Sequence, residues 1–349
     1  MSAAGLYTTL HFKNYFYKFY LTFSEEARII GISKACTGAG PAGLLRVHSA
    51  REKEGCTLQG SIQSKPLLPV QPYFETTSQR YYERRVWKLG ISHFYRYQID
   101  DPSGATIAVP DGCIDFVFDC SAGSDLSGSS VIGTVLKHKA IRTQYRHVYF
   151  GVRFQPGVCP AMLRMPNGEL IEQDVPMAEA LDAPGLWEAI CAAPDFRTQS
   201  QCFWDAYTAA WRAREEKRAG SGKACLSAAV QQLIAASGGR LQIQALAEKT
   251  GYSVRYIDRV FREVVGLGPK TFSQIVRFQK LLNLLHGSKR PHLTELADRC
   301  GYYDQSQCIR QFKTYTGTTP RAYCKMLAEA DYSHRVVVTD FHLSAAFLQ

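Results

Sequence analysis

Apolar positions at helical spacing dominate the last third of the chain, and they come twice. From Leu246 to Phe272 the sequence reads LAEKTGYSVRYIDRVFREVVGLGPKTF, and from Leu296 to Tyr323 it reads LADRCGYYDQSQCIRQFKTYTGTTPRAY. Leu246 and Ala247 correspond to Leu296 and Ala297, and Gly251-Tyr252 to Gly301-Tyr302, at an offset of 50 residues. One extra residue then enters the second copy. Phe261, Gly266 and Pro269 correspond to Phe312, Gly317 and Pro320 at an offset of 51. Self-similarity on this scale means one supersecondary unit used twice.

Each copy predicts the same pair of helices. A short first helix (243–249; 293–299) buries Leu246 and Ala247, or Leu296 and Ala297, and the small alanine lets a second helix cross closely. Gly251 and Gly301 fall just past its end, where left-handed backbone suits glycine. Ser253 and Asp304 are N-caps for the second helix. That helix carries a stripe of Ile257, Val260, Phe261 and Val264 in the first copy. In the second the stripe is Cys308, Phe312 and Tyr315, with Ile309 beside it. Gly266 and Gly317 stop the helix, and Pro269 and Pro320 open the next at its first turn. Helix, glycine turn and steeply crossing helix make a helix-turn-helix. Gly251, Ile257, Phe261, Gly301, Phe312 and Pro320 are therefore expected to be structural. Between the copies, Pro269 to His286 predicts a helix roughly 27 Å long. A rod of that length suits two units set for successive major grooves, which recur at about 34 Å on one face of a duplex.

The other face of each second helix is polar and long-armed. The first copy offers Arg255, Tyr256, Asp258 and Arg259; the second offers Gln305, Ser306, Gln307 and Arg310, with Lys313 beyond. Arg bonds guanine edges bidentately and Gln does the same with adenine. Any one of these is an ordinary exposed residue; the duplicated arrangement is what points to DNA. Charge sharpens the picture. Between Lys223 and Asp331 stand 16 Lys+Arg against 8 Asp+Glu, whereas the rest of the chain holds 25 against 23. A positive field gathered in one segment attracts a polyanion.

With these residues in view, the segment 225–327 resembles the DNA-binding domain of AraC/XylS regulators. That family's second unit reads GFxDxSxFxRxFKxxxGxTPxxYR, matched here by Gly301, Tyr302, Asp304, Ser306, Arg310, Phe312, Lys313, Gly317, Thr319, Pro320 and Tyr323. Cys308 stands where the family has an aromatic, and Cys324 replaces the final arginine. The resemblance implies base-reading positions at Arg255, Asp258 and Arg259 in the first unit, and at Gln305, Ser306 and Arg310 in the second. Asp258 would accept from cytosine or orient Arg259. It further implies double-stranded DNA as partner, RNA polymerase as a second, a homodimer, a small-molecule effector of unknown identity, and a cytoplasmic location.

The N-terminal half reads as β-rich. Thr106–Val109 and Cys113–Phe118 are apolar strands around the turn Pro110-Asp111-Gly112, and His147–Phe154 is another, closed by Gln155-Pro156-Gly157. VPDGCIDFVFD and YFGVRFQPG resemble a sensory domain of some AraC-type regulators, which implies a cupin-like barrel. The expected fold is thus α+β and multidomain. Residues 1–75 stay unassigned, 76–198 form the β-rich sensor or dimerisation domain, and 199–222 a helical linker. Residues 223–327 form the DNA-binding domain and 328–349 a tail. Phe203, Tyr207 and Trp211 mark the linker as helical, and Ala219-Gly220-Ser221-Gly222 as a hinge.

Other function classes fare worse. The 11 cysteines include no C-x-x-C pair, so neither a zinc site nor a disulfide framework is expected; reduced, mostly buried thiols are. His93, His138 and His147 are scattered, and no metal, cofactor or catalytic residue is expected. No run of 18 uncharged apolar residues occurs, and Lys13, Asn14 and Lys18 break the aromatic stretch Leu6–Phe23, so neither a membrane span nor a signal peptide is expected. Gly38-Ala39-Gly40-Pro41-Ala42-Gly43 fits a dinucleotide fingerprint, but Lys34–Thr37 is a poor strand and Thr57-Leu58-Gln59 lies where the acidic residue belongs. A DNA-repair alkyltransferase would need a four-cysteine zinc cluster and a Cys beside His. An architectural DNA-binding protein that senses nothing remains the other alternative.

Overall fold

The structure, a computed structural model, describes residues 68–100, 105–121, 123–218, 221–286, 292–329 and 336–340. Gly38–Gly43 and Leu6–Phe23 lie outside these residues. The β-rich part opens with α1 (Pro72–Thr77), β1 (Ser78–Arg85), β2 (Ile91–Ile99), β3 (Ala105–Ala108) and β4 (Asp115–Asp119). It continues with β5 (Ser130–Ile132), β6 (Lys139–Arg142), β7 (Val148–Phe154) and β8 (Asp174–Pro176), then α2 (Met177–Ala180), α3 (Leu186–Ala192) and α4 (Phe196–Arg218). The helical part holds α5 (Gly222–Ala236), α6 (Ile243–Thr250), α7 (Val254–Val265), α8 (Pro269–His286), α9 (Leu293–Cys300), α10 (Gln305–Thr316) and α11 (Pro320–Glu329), after which comes β9 (Val336–Asp340).

The strands form a seven-stranded sheet in the order β8-β5-β4-β7-β2-β1-β9, with β3 and β6 as a separate antiparallel ribbon. Period-two alternation sorts the side chains between its faces. Phe94, Phe116, Phe118, Phe150, Val152 and Phe154 point to one face and meet Phe203, Trp204 and Tyr207 of α4. Tyr81, Tyr95, Tyr97, Val117 and Tyr149 point to the other, where Ala108, Val135 and Ile141 cluster around the ribbon. Gly151 makes this second layer fit: a Cβ there would lie 2.0 Å from Cζ of Tyr95.

Two expectations about the connections change. The stretch read as a linker from 199 is one helix from Phe196, and Phe203 and Tyr207 are almost wholly buried in the sheet's core. It belongs to the β-rich part, because its aromatic stripe is what covers that face. The expected hinge is partly helical, since α5 starts at Gly222. The tail is not without structure either: β9 pairs parallel with β1, from Tyr81 opposite Val336 to Arg85 opposite Asp340.

The helical part packs around α8. Ile257, Val260, Phe261 and Val265 of α7 join Phe272, Ile275 and Val276 in one core. Cys308, Phe312 and Tyr315 of α10 join Phe278, Leu281, Leu282 and Leu285 in another. Val265 rather than Val264 completes the α7 stripe, and Ala247 is only half-buried while Ala297 is buried. Gly251, Gly266, Gly301 and Gly317 all have positive φ, between 73° and 88°, as the repeat requires of helix-terminating glycines. The two parts touch through buried groups: Phe272 lies against Gly112 and Gly157, and the turn Asn167–Leu170 against Gly266.

Candidate nucleic-acid interface

Each helix-turn-helix is held by its own cap. Ser253 Oγ accepts from the Tyr256 N–H at 3.3 Å, and Asp304 Oδ1 accepts from the Gln307 N–H at 2.6 Å. In the second unit Gln307 returns the favour through its side chain, whose Oε1 accepts from the Tyr303 N–H at 2.8 Å. This is a capping box displaced by one residue, and it satisfies amides that the first turn leaves free.

With Ile257, Phe261, Cys308 and Phe312 all fully buried, the opposite faces of α7 and α10 stand in solvent. Arg255, Arg259, Gln305, Ser306, Gln307, Arg310 and Lys313 are exposed, and Tyr256 and Asp258 half-buried. Not all are equally free to reach. Arg259 lies over the Tyr256 ring at 5.1 Å, and Tyr256 stacks on Tyr252 at 5.2 Å. That stack keeps the guanidinium extended and pre-ordered. Asp258 does not orient Arg259; its Oδ2 accepts from Arg262 Nε at 2.8 Å, one turn on. Gln305 Oε1 accepts from Thr294 Oγ1 at 3.0 Å, which ties α10 to α9, and Gln307 is engaged in the cap. Arg310, Ser306 and Lys313 carry no such tie.

The sequence reading missed Tyr303. It is the extra residue of the second copy, and at 93% exposure it stands out from the start of α10. The one-residue insertion was the available signal. Cys308, placed where the resemblance has an aromatic, is fully buried, so the smaller side chain keeps its place in the core.

A second constellation lies between the sheet and the β3–β6 ribbon. There a cavity of about 30 Å3 is lined by Tyr95, Tyr97, Asp111, Asp115, Arg153 and Gln71, among others. Arg153 grips Asp115 through two nitrogens (Nε–Oδ1 2.9 Å, Nη2–Oδ2 3.0 Å), and the Tyr95 hydroxyl donates to Asp115 at 3.0 Å. Arg153 Nη1 also lies 3.6 Å from Asp111. Burial pushes the Asp115 carboxyl up, and Arg153 opposes that shift.

From Asp111 the hydrogen bonds continue toward the helices. Gln71 Nε2 donates to Asp111 Oδ2 at 2.8 Å, and Gln71 pairs with both backbone groups of Val109. Gln279, on α8 and fully buried, accepts from the Val70 N–H at 2.8 Å and donates to the Pro110 carbonyl at 2.8 Å. Asn283 donates to the Leu68 carbonyl, and the Tyr73 hydroxyl to that of Thr316. The segment 68–73, unassigned from the sequence, is thus a strap between cavity and helices. Elsewhere His138 Nδ1 meets the Thr314 carbonyl at 3.0 Å, and burial drives His93 down to about 4. Among the described residues no group of His, Cys, Asp and Glu could hold a metal, and no helix is long and apolar enough to cross a membrane. Three of the nine described cysteines are buried and six half-buried, fewer buried than expected.

Residues 246–326 match a helix-turn-helix domain, and residues 89–176 a domain of unknown function, DUF6597. Among solved structures, the C-terminal domain of AraT, a response regulator from Geobacillus stearothermophilus, is 25% identical over 34% of this chain and 93% of its own, with a TM-score of 0.28. The DNA-binding domain of AdpA, solved with a target DNA, is 24% identical over 30% of this chain and 95% of its own (TM-score 0.28). ToxT from Vibrio cholerae O395 is 10% identical over 71% of this chain and 96% of its own (TM-score 0.34). No curated protein matches the sequence.

Proposed function

We propose that this chain is an AraC/XylS-type regulator, whose helix-turn-helix domain, matched over residues 246–326, reads DNA under the control of the β-rich part. α7 and α10 enter two successive major grooves. Arg255, Arg259 and Arg310 read base edges, with Gln305 and Ser306 beside them, and Lys313 holds phosphate. Tyr256 braces Arg259, while Asp258 and Gln307 shape their helices. The observation that carries this reading is the paired geometry: two capped helices, each buried on one side and presenting arginine on the other.

The β-rich part senses. A small effector enters between the sheet and the ribbon, displacing the ribbon, since about 30 Å3 holds no more than about two waters. Its arrival is felt at α8 through Gln71 and Gln279. Buried polar groups in this number are costly unless satisfied, so disturbing one member unsettles the next. Dimerisation and contact with RNA polymerase follow from the family resemblance.

Capture of genomic fragments by the full-length protein at physiological salt tests the DNA reading. Recovered fragments should share a motif of two blocks about one helical turn apart. Retention of all fragments alike, with no shared motif, would contradict sequence reading and leave an architectural protein.

A further inference from the structure

Cys120 and Cys191 are 71 positions apart in the chain, yet their sulfurs lie 3.3 Å from each other. Cys120 follows β4, and Cys191 rides on α3, which Leu186 and Ile190 seat in the core. Both thiols are half-buried rather than sealed. Among the described residues no other two cysteines share a hydrogen bond. Neither thiol belongs to the cavity or to the DNA-facing helices.

We propose that Cys120 and Cys191 are an oxidation site that closes into a reversible disulfide in response to hydrogen peroxide. A disulfide needs the sulfurs at about 2.05 Å, so closure asks for an approach of roughly 1.3 Å, within reach of side-chain rotation at the end of a strand and on one short helix. The roles of the two sulfurs differ. The single S–H of Cys191 has two acceptors within reach, Cys120 Sγ at 3.3 Å and the Asp119 carbonyl at 3.4 Å. The hydrogen bond to Cys120, the largest influence there, lowers its pKa against the opposing effects of burial and of Asp119. Cys120 is therefore the attacking thiolate.

The chemistry balances in two steps. The Cys120 thiolate attacks one oxygen of peroxide, the O–O bond breaks, and hydroxide leaves as Cys120 becomes a sulfenic acid. Cys191 gives its proton to that hydroxide, making the first water, and its thiolate attacks the Cys120 sulfur. The S–S bond forms as the S–O bond breaks, and the departing hydroxide takes a proton from solvent to become the second water. The two thiols supply two electrons and peroxide accepts them. A dithiol reductant reverses the change. The tie would fasten α3 to β4, the strand that also carries Asp115.

The full-length protein, treated with hydrogen peroxide, alkylated and digested without reductant, should yield a peptide pair linked through Cys120 and Cys191, lighter by two hydrogens than the separate thiols. Dithiothreitol should abolish it. In Cys191→Ser the linked pair should vanish and dimedone should label Cys120; in Cys120→Ser no dimedone should appear at Cys191. The proposal is overturned if Cys120 and Cys191 stay alkylatable at peroxide levels that oxidise other cysteines of the chain. It is equally overturned if either one links to a different cysteine, or if Cys120 passes to sulfinic acid in the wild type without linking.

Discussion

Arg310 and Arg259 illustrate how differently two arginines on matching helices can be set. Arg259 is stacked on Tyr256, so its reach is preordered, whereas Arg310 is exposed and orders only on a partner. Arg310→Ala should weaken binding to the cognate site by about 1–3 kcal/mol while leaving random duplex nearly unaffected, with one base pair losing its preference. Equal losses on both duplexes, read by titration, would make it a phosphate contact. His93 gives a pH test at this scale. It is buried neutral, with its pKa brought down by burial to about 4, while the unfolded chain takes up that proton near 6.5. Stability is therefore fully present above pH 6.5 and declines as pH falls toward 4, by about 3 kcal/mol in all. Urea midpoints across that range should show the slope in the wild type and lose about half of it in His93→Gln, because burial also holds His286 down at about 4. The glycine corners were legible because positive φ leaves few alternatives. The partner of Asp258 was legible in principle, since Asp258 and Arg262 are four apart on a helix, the spacing at which opposite charges meet.

At the scale of elements, the local pattern told most where burial is local. The stop and start glycines and prolines placed α8 at Pro269–His286, its observed span, and the caps at Ser253 and Asp304. α4 was harder. Its aromatic stripe announced a helix, but the sheet that covers Phe203 and Tyr207 comes from strands far away in sequence, so nothing nearby distinguished a core helix from a linker. β9 was invisible for a related reason: a short β-branched run pairs parallel only when a distant edge, here β1, is offered. Phe261 and Phe312 anchor the two repeats, one against Phe272 at 5.4 Å and the other against Tyr323 at 5.4 Å. Phe261→Ala and Phe312→Ala should each cost about 3–5 kcal/mol. Calorimetry should show that loss, and binding should weaken even on random duplex because a whole helix is disordered. A loss below about 1 kcal/mol would mean that the repeat cores tolerate a cavity.

Across the molecule, the decisive feature is that the two parts share buried hydrogen bonds rather than a loose tether. The hinge composition around Ala219 suggested independence, yet Gln279 and Asn283 hold the 68–73 strap from the helical side while Asp111 and Val109 hold its Gln71 from the other. A glutamine inside a helix read as an apolar rod gives no sign in sequence of the carbonyls it will meet. Gln279→Ala should orphan the Val70 amide and the Pro110 carbonyl and cost about 1–3 kcal/mol. Hydrogen exchange should show Val70 opening faster while α7 and α10 keep their protection; unchanged exchange at Val70 would mean that the strap is held by something else. Hydroxyl-radical footprinting of the full-length protein on a captured fragment reads out whether both helices lie on one face of a duplex. Two protected patches on the same face, about 34 Å apart, are expected, with Arg259→Ala thinning one and Arg310→Ala the other. A single patch, or two that fade together with either substitution, would contradict that placement.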